Sequence, residues 1–148
     1  MQVTVAGAFQ LENARGPEMD RAETVTLFND MCLLAPATLI DPALSWTALD
    51  ASRVRGEFVN AGHRVSAELT FDESGDLVNF RSDDRYQNDG KVERRLPWST
   101  PVSGYRDLDG GRLFHAGDAC WIENGREWVY GHFELQRIDY NLTAPPTP

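Results

Sequence analysis

Three histidines, one carboxylate on an apolar stretch and a run of alternating charges are the residues with the most obvious chemical potential. His115 and His132 fall in strand-like segments near a Trp-rich region, and His63 falls in a turn. If His115 and His132 lay on paired strands they would meet Asp118 or Glu134, an arrangement suited to acid–base work or a single metal ion. Lone histidines are more often simply satisfied or exposed, so no metal is assigned. Asp30 sits among apolar neighbours on a helical stretch. Facing a sheet, it would pair with an arginine such as Arg81 or Arg85. The simpler reading is a buried ion pair, and the functional one is a general base of shifted pKa. Asp30, His115 and His132 are therefore the candidate catalytic residues, and the sequence leaves open whether the protein is an enzyme.

Arg81, Asp83 and Arg85 alternate with Ser82, Asp84 and Tyr86, which places the first three on one strand face. Such a ladder is usually solvated, with ion pairs each contributing under about 1 kcal/mol. If the face looks into a cavity instead, Arg85 would hold a carboxylate or phosphate through its planar fork, flanked by Tyr86 and Trp98. Aromatic residues thicken toward the end of the chain. By strand parity Trp128, Tyr130 and His132 share one face, and Val129, Gly131 and Phe133 the other. One set is core and the other is free to line a cavity, although packing alone would account for all of these rings. The candidate ligand-binding residues are Arg81, Arg85, Tyr86, Trp98, Tyr105, Trp121 and Tyr130.

Other chemistries lack their signatures. Ser66, Ser82, Ser99 and Ser103 stand in no GxSxG context, and there is no P-loop or GxGxxG, so no cofactor is expected. Cys32 and Cys120 sit in neither a CxxC nor a CxxxH pattern and read as buried free thiols. A formal net charge of −9 argues against nucleic acid and against an anionic membrane surface as partners. No apolar run approaches the roughly 20 residues of a membrane helix, and the first residues lack a signal peptide's basic start and apolar core. The expected location is the cytoplasm, or the protein is an excised soluble domain of a membrane-anchored one.

The elements that must position these residues follow from periodicity. The chain has 148 residues, with 41% hydrophobic and 25% charged, which suits one globular domain over residues 1–142. Residues 143–148 hold three prolines and read as a disordered tail. Val3, Val5, Phe9 and Leu11 suggest an opening strand, broken at Gly16-Pro17. Asp20 reads as a helix N-cap with Glu23 completing a capping box. Val25, Leu27, Phe28, Met31, Cys32, Leu34 and Ala35 follow at helical spacing, and Pro36 ends the helix. A short turn is expected from Ala37 to Ile40. Beyond Leu44 the period becomes two, with turn signals at 60–62, 72–76, 88–90, 109–111 and 123–125. Strands are expected over 53–59, 64–71, 77–86, 91–100, 103–108, 112–123 and 126–140. The fold class expected is α+β, an antiparallel sheet curled as a half-barrel around one main helix.

The runs GPEMDRAETVTLFNDMCLLAPATLIDP, VSAELTFDESGDLVNFRSDDRY and LPWSTPVSGYRDLDGGRLFHAGDACW resemble a bacterial family of unknown function over residues 16–140. The resemblance implies a longer protein, roughly twice this length, with N-terminal strands and often membrane helices ahead of the matching segment. It thus describes either a truncated natural variant or a domain whose missing strands a partner copy replaces. The turn spacing is similar to that of the LolA-like half-barrels of lipoprotein carriers, which implies a concave face that holds acyl chains. Function does not follow from fold alone. The leading expectation is a module binding an apolar or lipid-like small molecule between helix and curled sheet. The alternatives are a small enzyme acting on an apolar substrate in the same cavity, and an assembly domain, such as a homodimer, pairing through an uncovered sheet edge.

Overall fold

A computed structural model describes residues 16–88, 93–108 and 111–141. The expected opening strand, the centres of the turns at 88–90 and 109–111 and the Pro-rich tail lie outside these residues. Helix α1 spans Pro17–Leu34. It starts earlier than the capping-box reading allows: Gly16 holds the N-cap position and Pro17 the first helical turn, so Asp20 is no cap. The N–H of a first helical residue has no acceptor within the helix, so proline loses no bond there and its fixed φ suits the helix. Asp20 and Glu18 instead place negative charge in the first turn, where the helix dipole favours it. Ala22, Val25, Phe28, Cys32 and Leu33 recur at helical spacing and are buried. Pro36 ends the helix as expected and opens a 3₁₀ turn, Pro36–Ile40.

Among the described residues eleven strands follow: β1 (Leu44–Ala48), β2 (Arg53–Asn60), β3 (His63–Phe71), β4 (Leu77–Ser82), β5 (Tyr86–Asn88), β6 (Glu93–Arg95), β7 (Trp98–Ser103), β8 (Arg106–Leu108), β9 (Gly111–Leu113), β10 (Ala116–Glu123) and β11 (Arg126–Glu134). Seven form one open antiparallel sheet in the order β1-β2-β3-β4-β7-β10-β11, while β5-β6 and β8-β9 form two small ribbons. The fold class is α+β. No helix among the described residues is long and apolar enough to cross a membrane. Two-residue turns join β2 to β3 and β10 to β11. Both central residues of each have positive φ: Ala61 48° and Gly62 85°, then Asn124 52° and Gly125 74°. This left-handed pair matches the twist of a tight hairpin.

Several expected strands prove divided. The segment 77–86 is cut after Ser82, and 91–100 is cut at Leu96-Pro97, where proline cannot donate to a ladder. The segment 103–108 begins only at Arg106, 112–123 is interrupted before Ala116, and 126–140 ends at Glu134. The first four of these runs are hairpin arms that leave the main sheet and continue as ribbons, a three-dimensional change that parity alone does not mark, and the fifth simply stops.

The core joins α1 to one face of the sheet. Phe28 is fully buried, with ring centroids 5.4 Å from Phe80, 5.5 Å from Phe58 and 5.9 Å from Trp46. Val65, Ala67 and Leu69 on β3 complete this contact. Helix and sheet thus meet directly along Val25 and Phe28, and no greasy gap runs beneath the whole helix. Gly56 makes the approach possible: a Cβ there would stand 2.6 Å from both Phe28 Cζ and Trp46 Cζ3. A polar link also crosses the core, with Thr100 donating to Asn29 Oδ1 at 2.5 Å.

Candidate functional site

The break after Ser82 decides where the charged run goes. Asp84 is buried, and its carboxylate accepts from Arg21 at 2.7 Å, Arg95 at 2.5 Å, and the Ser66 backbone N–H at 2.8 Å. Ser82 Oγ donates to Ser66 O at 2.6 Å. A side chain thus closes the ladder that β4 abandons. Burial pushes the Asp84 carboxyl up, but the Arg21 and Ser66 hydrogen bonds and the charges of Arg21 and Arg95 outweigh it and hold it below its ordinary value. Sequence reading gave this carboxylate no role, since nothing local distinguishes it from its exposed neighbour Asp83.

The same break separates Arg81 from Arg85, which strand parity places together. Arg81 is exposed and meets Asp83 at 3.4 Å, beside Arg55 and Glu68 on the sheet face away from α1. Arg85 lies on the helix side. Its guanidinium carbon is 4.3 Å from the Trp98 ring centroid and 5.9 Å from that of Trp121, and Nη1 donates to Thr26 Oγ1 at 2.8 Å. Asp30 is half-buried and feels the Arg85 charge, yet no ion pair forms between them. Burial raises the Asp30 carboxyl above its ordinary value, against the lowering effects of the Asn29 hydrogen bond and of Arg85.

Beside Arg85 the rings make a wall. Trp98 Nε1 donates to Tyr130 Oη at 2.9 Å, Trp121 and Tyr130 stack at 5.9 Å, and Tyr130 meets Trp128 edge-on at 6.0 Å. A bulge builds this wall. β11 pairs Gly131 with Ala119 but Val129 with Cys120, so Tyr130 is an extra residue and the parity changes across it. As a result His132 leaves the Trp128–Tyr130 face, contrary to the simple alternation. It instead stands across from Asp118, with Nδ1 2.6 Å from Oδ1, exposed. Gly117 lets Phe133 cross, since a Cβ would lie 2.5 Å from Phe133 Cζ. His115 sits between β9 and β10 rather than in a strand, with Nδ1 3.4 Å from Leu135 O. The structure therefore does not bring His115 and His132 together. No group of three or more metal-ligating side chains occurs among the described residues.

The remaining candidates lie apart. Tyr86 is half-buried on the β5-β6 ribbon, opposite Arg95. Tyr105 belongs to the other end of the fold, where Oη donates to Leu77 O at 2.8 Å, and burial together with Asp76 and Asp72 pushes its hydroxyl up to about 12. Cys32 and Cys120 are both buried free thiols.

Tyr105 lines a largely apolar space. Past Cys32, where α1 gives way to the 3₁₀ turn, a cavity of about 220 Å³ opens between Cys32, Leu33 and Leu39 on one side and Leu69, Phe71, Leu77 and Leu113 on the other. Arg112 and Asp76 edge it as an ion pair of 2.6 Å. A second hollow, of about 230 Å³, is lined by Leu39, Trp46, Val54, Leu69 and Phe71, all apolar. The two share Leu39, Leu69 and Phe71. Leu39 is held over them because Trp46 Nε1 donates to its carbonyl at 3.3 Å. Sequence reading placed neither Leu39 nor Phe71 in a binding site. The available signal was an apolar residue on a short turn bracketed by Pro36 and Pro42.

An open antiparallel sheet thus carries one helix on its face, with apolar hollows at the C-terminal end of that helix. The chain belongs to DUF6544, a family of unknown function whose model matches residues 1–133. No curated protein and no solved structure matches it.

Proposed function

We propose that the protein binds a small apolar molecule in the paired hollows around Leu39. The observation that carries this reading is the cavity of about 220 Å³ between the end of α1 and the sheet, with an all-apolar hollow beside it. Apolar cavities of about 150 Å³ stay dry and take up a benzene-sized guest, so each hollow here suits a single ring or a short hydrocarbon. Ligand pockets for larger molecules run to about 300–1,000 Å³, which makes a full lipid chain a poor fit to either hollow alone. From the half-barrel analogy this reading keeps a helix laid on an antiparallel sheet, and it shrinks the ligand.

The enzyme alternative draws less support. Asp30 is the one candidate with a raised pKa, and it does not line either hollow. Toluene titration tests the proposal. A guest that binds only the folded state raises the melting temperature, by an amount set by its concentration over Kd. Toluene is expected to stabilise the wild type and to leave Leu39→Trp, which fills the shared wall, unmoved. Equal stabilisation of both proteins, or of neither, would overturn the reading.

A further inference from the structure

Arg85 differs from most of the arginines with well-defined partners, and Arg106, whose Nη2 donates to Leu135 O, is like it in meeting no described carboxylate. Arg21, Arg53, Arg64, Arg94, Arg95 and Arg112 each meet a carboxylate within 3.0 Å. No described carboxylate lies within ion-pair distance of Arg85, although the chain holds 23 acidic residues against 14 basic ones. Its one hydrogen bond to a described residue goes to the neutral Thr26, and its Nε is buried without a partner. A half-buried cation with no carboxylate in contact, and only the longer-range charge of Asp30 to offset it, is costly to hold, and a guanidinium presents a planar fork that matches a carboxylate. Next to it, the ring wall runs from the buried Trp98 and Trp121 out to Tyr130 and Trp128, which are 47% and 41% exposed. Trp121 is the neighbour common to Arg85 and Tyr130, at 5.9 Å from each, so charge and open ring surface are one indole apart.

We infer that Arg85 and the Trp121–Tyr130–Trp128 wall form a binding site for a small aromatic carboxylate, separate from the hollows around Leu39. The acid would give Arg85 the carboxylate contact that Asp30 does not make, and its ring would extend the stack at Tyr130. The fork and the absent partner carry this choice of ligand: a neutral ring would leave the guanidinium as it is, and a bare anion would leave the exposed rings uncovered.

Benzoate and its neutral counterpart benzamide test the site on the intact protein, followed by the indole N–H signals of Trp98 and Trp121 in NMR spectra. Benzoate is expected to shift both signals and to bind at least about tenfold more tightly than benzamide, the scale of one charge-assisted hydrogen bond. Arg85→Met should remove that preference, and Arg85→Lys should retain part of it through charge without the fork. Equal affinity for the two probes, or no response to benzoate at concentrations well above millimolar, overturns the inference. Should Arg85→Met fail to fold, the wild-type comparison of benzoate with benzamide decides alone. Because toluene at Leu39 reports on a different place, either site can fail without the other.

Discussion

Asp84 Oδ2 accepts the backbone N–H of Ser66 at 2.8 Å, at the point where β4 has ended and can no longer offer β3 a carbonyl. One buried carboxylate thus replaces a rung of the sheet and ties α1, β3 and β6 together through Arg21, Ser66 and Arg95. Asp84→Ala would leave a buried amide and two guanidinium groups short of their acceptor. A loss of about 2–4 kcal/mol in urea unfolding is expected, below the full cost for a buried pair because both arginines are partly exposed. Asp84→Asn should lose less, since it can still accept from Ser66.

The same group sets an acid limit. Its folded pKa lies below the ordinary 3.8, so its contribution is complete above that value and disappears as pH falls through the folded pKa. Stability measured against pH should therefore drop more steeply below about pH 4 for the wild type than for Asp84→Asn.

Asp30 has the opposite sign. Burial raises its folded pKa, so the ionised form is the strained one, and any stability gained from its protonated form is lost as pH rises through the folded pKa. Asp30→Asn is expected to raise the midpoint of denaturation at pH 7. The gain should shrink toward zero below pH 3.8, where the wild-type carboxyl is neutral in both states. A destabilised Asp30→Asn at pH 7 would show that the nearby Arg85 charge governs Asp30 instead.

Much of this fold was legible because burial on one face forces alternation. Val65, Ala67, Leu69 and Phe71 read as a strand facing the core, and they are one. The Asn124-Gly125 turn reads as a hairpin, and it is one. Parity failed where the chain changes partners. An extra residue at Tyr130 turned His132 to the opposite face, and a break at Asp83 sent Arg85 to the opposite face from Arg81. Bulges and breaks leave composition unchanged, so a period-two pattern carries no mark of them. Trp98, Trp121 and Tyr130 were recognisable as candidates by type, and they do converge. The Leu39 hollows were not recognisable, because an empty space is set by three elements at once.

Gly56 is predicted to be intolerant of even one methyl group. Its Cβ would meet Phe28, which is fully buried, and Trp46, which is partly exposed, at 2.6 Å, so Gly56→Ala should cost about 1–3 kcal/mol in urea unfolding.

Burial pushes the Cys32 thiol up to about 12, and Cys120 is raised as well. The thiolate is the reactive form, so neither cysteine should be labelled by a thiol reagent at pH 8 in the native protein. Both should react once urea unfolds the chain. Prompt native labelling would show that one of the thiols reaches solvent.

The binding proposal is tested most directly by methyl NMR of the leucines during toluene titration. Saturable shifts are predicted at Leu39, Leu69, Leu77 and Leu113, with the methyls of Leu27 and Leu44, which line neither hollow, unmoved. Shifts spread evenly over all leucines, or none at toluene saturation, would contradict a ligand seat at the end of α1.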